Sequence, residues 1–512
     1  MRIVNDQRLI LGPPGCGKTT YLLGRLEAEL AAGIAPERVA YVSFTRKAVG
    51  EAVERACQRF SFKRDQLRYF RTNHSLTFAA LGLSKSDVLT VEHLREIGQS
   101  IGCEFSTKAR VDESTGLIMG GGDGDKHLFV DSLARARCRS LQEQWQEDDQ
   151  GLDYWTVERT VRAVTNYKRS HALFDFTDML ERYVEVGQPL DIDVAFVDEA
   201  QDLSTLQWHV LRKMLSNART VYIAGDDDQA IYRWSGADVD AFLSLGGART
   251  VLDRSWRCPP AVHALANRIA GRIGKRFAKA WAPKEGGEGE VITRNDLTTL
   301  DFRAMEGSML LLARNTYLLG EYSKELRQQG LAFVNQYGGS SVNASHARAI
   351  YAWEKVRKGQ PIPGADVKAV YEQLRVGFGV KRGHKGCKGI DDRRPYSEQE
   401  LREQFGLLAT GPWFEALDGI SLADRMYYRT ILRNGGSLIA APRLMVNTIH
   451  GVKGGEADTV IVAPDMAYQT WQGFERSPDD EHRVAYVAVS RARRNLVLLS
   501  PRSRMAYPYA AS

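Results

Sequence analysis

At 512 residues the chain is longer than one ordinary core can organise, so several domains are expected. Its 43% apolar and 26% charged residues are those of a soluble globular protein, and no apolar run approaches the roughly 18 residues that span a bilayer. A net charge of +6, from 69 basic and 63 acidic residues, permits nucleic-acid binding without establishing it. The six cysteines (16, 57, 103, 138, 258 and 387) form no C-x-x-C pair, which argues against a disulfide framework or a zinc site. His384 near Cys387 has no second ligand pair to complete it. Reduced thiols and an N-terminus without a signal-peptide pattern lead us to expect a cytoplasmic protein with no membrane partner.

Arg8-Leu9-Ile10-Leu11 reads as a strand, followed by Gly12-Pro13-Pro14-Gly15-Cys16-Gly17-Lys18-Thr19 and a helix from about 18 to 32. The glycine-rich octet matches G-x-x-x-x-G-K-[ST] at every fixed position. In such a loop Gly15 and Gly17 let backbone N–H groups approach phosphates at the positive end of the helix. Lys18 should reach the β- and γ-phosphates, and Thr19 should hold Mg²⁺. Residues 39–44 form the next strand and 47–60 the next helix, a rhythm that predicts a parallel sheet with crossover helices. Residues 85–170 break it with a mainly helical pattern and read as an insertion.

The rhythm returns at Val194-Ala195-Phe196-Val197, an apolar run ending in Asp198-Glu199-Ala200-Gln201-Asp202. Carboxylates at the end of a buried parallel strand suit a metal beside a nucleotide. Asp198 should hold the metal and Glu199 should polarise the attacking water. Another strand, 220–224, ends in Gly225-Asp226-Asp227-Asp228-Gln229, followed by Tyr232 and Trp234. A glutamine at that place can sense a γ-phosphate. Each aromatic residue taken singly would more often be core than a base platform.

A second α/β set is expected to start near Thr250, with a turn at 283–289 and strands at 309–313, 443–448, 459–463 and 495–499. Residues 340–440 interrupt it and include the basic, glycine-rich stretch 377–394 (Lys381, Arg382, Lys385, Lys388, Arg393 and Arg394), which is either a duplex-phosphate contact or a solvated loop. The expected architecture is therefore α/β, with two nucleotide-fold cores each carrying an inserted, mainly helical subdomain. The first core comprises 1–84 and 171–249 around an insertion at 85–170. The second comprises 250–339 and 441–512 around an insertion at 340–440, and has no phosphate loop of its own.

The string 225–238 resembles the third motif of UvrD/Rep-type superfamily-one helicases, G-D-x-D-Q-x-I-Y-x-W-x-G-A. Other motifs follow in family order. Ser43-Phe44-Thr45-Arg46-Lys47-Ala48 is similar to T-F-T-N-K-A, Thr72-Asn73-His74-Ser75 to T-x-H-S, and Asp175-Phe176-Thr177-Asp178-Met179-Leu180 to D-F-x-D-L-L. Ser255-Trp256-Arg257 takes the place of N-Y-R. The stretch from Thr448 to Glu456 is similar to T-x-H-x-x-K-G-L-E, and that from Arg483 to Ala492 to R-L-x-Y-V-A-x-T-R-A.

The resemblance implies two RecA-like cores and an ATP- and Mg²⁺-dependent 3′-to-5′ single-strand DNA translocase and helicase. Its partners would be single-stranded and 3′-tailed duplex DNA, with RNA the lesser alternative. Gln229, Arg257 and Arg491 would touch the γ-phosphate, with the arginines reaching from the second core. Glu456 would contact the ribose, and Trp256 would stack on adenine. Phe44, Thr45, Thr72, His74, Tyr232, Trp234 and His450 would line a single-strand track, where stacking suits any base. Thr20 stands where many relatives have an adenine-stacking arginine, and Gln7 is the candidate for an adenine-reading glutamine only by elimination. Gly455 replaces a leucine and Ser490 a threonine. Both insertions are shorter than in large family members. A partner-dependent translocase that does not unwind alone, and a nucleic-acid-gated ATPase switch that does not travel, remain alternatives.

Overall fold

The computed structural model of the protein describes residues 2–107, 109–112, 115–148 and 151–509. The chain divides into two compact units. One is built from the residues up to Gly287 together with Ser477–Val487, the other from Glu288–Arg476 together with the residues from Ala488 onward.

The first unit holds a six-stranded sheet in the order Tyr69–Thr72, Val39–Ser43, Val194–Asp198, Thr220–Gly225, Asp6–Leu11, Ala248–Val251. Every pairing is parallel. The two middle strands, Val194–Asp198 and Thr220–Gly225, are buried at every residue because helices cover both faces, so an unbroken apolar run is what such a strand requires. Val39, Tyr41, Val194, Phe196 and Tyr222 pack on one side against Leu22, Leu26 and Ala52 of the helices Lys18–Ala31 and Arg46–Phe60. Ala40, Ala195, Val197 and Val221 pack on the other against Leu180, Tyr183, Leu211 and Met214. All six carboxyl ends therefore lie along one edge, where open α/β sheets bind ligands.

The strand near Thr250 does not begin the second core. Ala248–Val251 pairs with Asp6–Leu11 as the last strand of the first sheet. All four of its residues are exposed, so it carries no buried run to mark its allegiance. The first unit continues to Gly287, within the turn expected at 283–289.

Residues 85–170 contain the helices Val91–Ile101, Asp123–Ala136, Leu141–Glu147 and Tyr154–His171, with a hairpin of Arg110–Val111 and Ile118–Met119. They have a small core of their own around Leu94, Ile97, Phe105, Leu128 and Val164. A buried ion network ties them to the helix Phe176–Val186 of the main sheet. Arg135 donates to Asp175 at 3.0 Å, Asp178 at 2.6 Å and Glu181 at 2.6 Å, and Lys168 meets Asp175 and Asp178.

The second unit holds a second six-stranded parallel sheet, ordered Phe333–Val334, Leu444–Thr448, Met309–Ala313, Ala457–Val462, Ala492–Leu499, Val291–Arg294. Its interruption carries five helices among the described residues, from Ala344–Arg357 to Leu422–Arg433, around Trp353, Tyr371, Leu374, Leu417 and Tyr428. The fold is thus the two-sheet α/β architecture expected, with helical material inserted in each half.

Arg135→Leu should destabilise the first unit by about 3–5 kcal/mol, because it leaves buried carboxylates facing Lys168 alone. Thermal unfolding measures this, and a change under ~1 kcal/mol would show the network to be dispensable.

Candidate functional site

The glycine-rich loop joins the strand Asp6–Leu11 to the helix Lys18–Ala31. Gly17, at φ +82°, caps that helix and no side chain competes for its first N–H groups. Gly15 is also left-handed at φ +70°, and a Cβ there would stand 2.4 Å from Arg257 Cβ. The segment Ser255–Arg257 straps the loop. Ser255 Oγ donates to the Pro14 carbonyl at 2.7 Å and the Trp256 N–H to the Gly15 carbonyl at 2.8 Å. Trp256 is 67% exposed, with its ring edge beside Gly17, and Thr20 is exposed nearby. Arg257 belongs to the same compact unit as the loop it was expected to approach from the second core.

Lys18 is buried and donates to the Gly12 carbonyl at 3.1 Å. Burial works against its charge, but Cys16 and the carboxylates of Glu199, Asp226 and Asp198 outweigh that and raise its pKa. Thr19 Oγ1 donates to Asp198 Oδ2 at 3.1 Å, and the same oxygen accepts from the Tyr41 hydroxyl at 2.7 Å. Burial, then the neighbouring Glu199, pushes the Asp198 carboxyl up. A threonine hydroxyl and a buried carboxylate beside a phosphate loop are the hard oxygen donors that Mg²⁺ takes, so these residues fit the ion.

Glu199 holds φ +53°, a left-handed conformation that costs a non-glycine residue of order 1 kcal/mol. Gln201, fully buried and not singled out from the sequence, joins the two acidic motifs. Its Nε2 donates to Glu199 Oε2 at 2.5 Å, and its Oε1 accepts from the Asp226 N–H at 3.0 Å. Asp226 Oδ2 in turn accepts from Gln229 Nε2 at 2.8 Å. A continuous hydrogen-bonded chain therefore runs from Glu199 to Gln229 across the ends of two adjacent strands.

Among the described residues, the carboxylates of Asp226, Asp227 and Asp228 lie within 4.8 Å of one another, as a metal site requires. The Lys279 ammonium fills that point, 2.9 Å from Asp226 and 3.0 Å from Asp228 and also bonded to Asp227. Arg276 adds a two-pronged contact to Asp228 at 2.6 and 2.7 Å. Arg483 is fully buried and donates to the carbonyls of Asp227 and Lys275 at 3.0 and 2.7 Å.

Gln7 is engaged within the sheet. It is 2% exposed, its Nε2 donates to the Gly246 carbonyl and its Oε1 accepts from the Ile3 N–H, so both ends of the amide have protein partners.

The expected strand-track residues divide. Phe44 is buried with its ring 5.2 Å from that of Tyr232. Thr45 and Thr72 cap the helices Arg46–Phe60 and Asn73–Ala80 through their hydroxyls. His74 is buried edge-on to Phe176 at 5.8 Å. Trp234 is the exposed member, 41% accessible, with its ring within 8° of parallel to Phe129 at 6.5 Å. His450, Glu456 and Arg491 belong to the second unit. There Glu456 meets Arg493 at 3.5 Å, and Arg491 is 2% exposed with a contact to the Gly455 carbonyl.

Residues 1–248 match the family model described as the UvrD/REP helicase N-terminal domain, and residues 444–499 that of the UvrD-like helicase C-terminal domain. The two together cover more than half of the chain. The chain is similar to YjcD of Bacillus subtilis, 26% identical over 299 residues, with 53% of this chain and 37% of YjcD covered. It is similar to the ATP-dependent DNA helicase PcrA of Staphylococcus aureus, 24% identical over 308 residues, with 55% and 40% covered. A Mycoplasma pneumoniae protein is 24% identical over 294 residues, with 54% and 55% covered. The chain thus aligns with about half or less of the length of these relatives.

Burial pulls the His74 imidazole down to about 4 from its ordinary 6.5. The unfolded chain therefore takes up a proton between these values while the folded one stays neutral, and stability present above pH 6.5 is lost as pH falls toward 4. The loss should reach roughly 3 kcal/mol. His74→Phe should flatten the fall of melting temperature with pH across that window, and parallel curves for the two proteins would refute the assignment.

Proposed function

Because the chain belongs to the UvrD/Rep helicase family, we propose that it is an ATP-dependent 3′-to-5′ single-strand DNA translocase that unwinds duplexes. The observation that carries this reading is the hydrogen-bonded chain Glu199–Gln201–Asp226–Gln229 beside Lys18. It supports Glu199 as the base and the Gln229 amide as a phosphate sensor, because one hydrogen-bonded network joins the two side chains.

ATP is the substrate. Its phosphates take the N–H groups of the loop and the Lys18 ammonium, displacing that ammonium from the Gly12 carbonyl. Thr19 and Asp198 would hold Mg²⁺, which supplies charge neutralisation at the phosphates. Glu199 accepts a proton from the attacking water, oriented by Gln201 rather than by its own flexible side chain. Arg257, on the strap over Gly15, stabilises charge that develops on the transferred phosphoryl group. Trp256 and Thr20 border the place where the base would lie. Arg491 and Glu456 of the second unit are assigned to the γ-phosphate and the ribose by their motif positions. Single-stranded DNA is the proposed polymer, gripped through Trp234, Tyr232 and His450, while Phe44, Thr45, Thr72 and His74 shape the track from beneath.

Displacement of a strand from 3′-tailed but not 5′-tailed duplexes in the presence of ATP tests the polarity. An ATPase rate that rises with single-strand length marks a motor, whereas saturation at one site size would mark a stationary switch.

Lys18→Ala and Glu199→Gln should each lower turnover about 100-fold or more. The second should keep nucleotide binding, since it removes a base and not a phosphate contact. Near-normal turnover in either would sink the assignment.

Trp234→Ala should cost roughly 1–3 kcal/mol of strand affinity and most DNA stimulation, with basal ATPase and melting temperature little changed. A large drop in melting temperature with normal stimulation would instead make the ring a packing element.

A further inference from the structure

Lys279 lies outside every motif that the sequence displays, in an irregular stretch between the helix Pro260–Ala270 and the unit boundary. Its side chain is fully buried and its ammonium contacts all three carboxylates of the Asp226–Asp228 run. We infer that Lys279 is a positioning residue for hydrolysis, acting through Asp226 to hold the Gln229 amide in register with the γ-phosphate. This inference rests on the ATPase reading above.

The geometry separates the two oxygens of Asp226. Oδ1 takes Lys279 at 2.9 Å and the Asp228 N–H at 3.3 Å. Oδ2 takes Gln229 Nε2 at 2.8 Å. Gln229 is thereby held through the second oxygen of the same carboxylate that Lys279 fixes through the first. The carboxylate can keep this arrangement only while ionised and fixed. Although burial alone would favour the neutral acid, Lys279 and Lys18 more than offset it and keep the Asp226 pKa lowered. Loss of Lys279 removes the ion pair that fixes Oδ1, so the carboxylate can turn and the Gln229 amide loses the fixed partner that holds it.

Arg276 provides the control. It is the other cation of the cluster, but it contacts Asp228 and not Asp226. A purely structural role predicts equal consequences for the two residues. A positioning role predicts that only Lys279 affects turnover.

The test compares DNA-stimulated ATPase of three variants of the full chain at a temperature where each is folded. Lys279→Met combined with Asp227→Asn removes one positive and one negative charge together. Lys279→Arg keeps the charge while moving it off the three-way point, and gives the same reading should the neutral pair fail to fold. Arg276→Met removes the neighbouring cation. The expected result is a fall in kcat of about tenfold or more in the folded Lys279 variants, with KM for ATP changed much less. Arg276→Met should keep kcat within about twofold even where its melting temperature falls as far. Normal kcat in a folded Lys279 variant, or an equal fall for Arg276→Met, overturns the inference. Failure of the ATPase reading itself is distinguishable, because the unsubstituted protein would then show no turnover that Lys18→Ala abolishes.

Discussion

Asp198, Glu199, Asp226, Asp227 and Asp228 stand side by side at the carboxyl ends of two central strands, and all but Glu199 are buried. Such a concentration of charge is unstable unless cations and N–H groups answer it. Lys18 answers from the phosphate loop, Lys279 and Arg276 from the stretch after the helix Pro260–Ala270. Phe277 also donates its N–H to Asp227 at 2.7 Å. Each cation is thereby placed by the carboxylates as much as it places them. The loop, the acidic strand ends and the stretch that carries Arg276 and Lys279 form one electrostatic object.

That dependence explains why segments far apart in the chain belong to one unit. Ser477–Val487 follows almost two hundred residues of the second unit, yet folds with the first. Arg483 accounts for this, since its guanidinium is buried against the carbonyls of Asp227 and Lys275. A guanidinium can be buried at low cost where carbonyls take its N–H groups in fixed directions. Asp479, four residues earlier, accepts from the N–H groups of Gly274 and Lys275 at 2.8 and 3.0 Å. The helix Pro478–Val489 thus secures the irregular stretch that carries Lys279.

The strands and the phosphate loop were legible in the sequence because their signals are local. Val194–Asp198 announces itself by an apolar run with carboxylates at its end, and Met309–Ala313 was bounded correctly from its residues alone. Ala248–Val251 escaped because its solvent-exposed side chains give no pattern. Gln201 was visible within its motif but not assigned, since a glutamine between two acids looks solvated until both strand ends are placed together. Lys279 had no local signal at all. It meets Asp227 across 52 residues of sequence, and only the closed fold shows a lysine where an acidic run alone would read as a cation site. Gln7 erred in the other direction: elimination left it as a base reader, while the sheet edge claims both ends of its amide.

The same reasoning separates support from contact among the residues proposed to line a strand track. Phe44, Thr72 and His74 lie at most 6% exposed, and their polar and aromatic groups already serve as caps or ring partners. Such residues can fix the shape of a track without touching what passes over it. Trp234 differs because it is exposed and stands five residues from Gln229. Gln229 ends one short 3-10 turn, Asp227–Gln229, and Trp234 lies in the next, Arg233–Ser235, with three residues between the turns and the Ala237 N–H donating back to the Tyr232 carbonyl at 3.1 Å. Arg137 holds the second turn by donating to the Arg233 carbonyl at 3.2 Å. A segment so short and so bonded transmits displacement rather than absorbing it. Under the proposed function, a change at the γ-phosphate that shifts Gln229 is passed along this segment to Trp234, which makes the coupling of nucleotide state to grip a matter of backbone rigidity there.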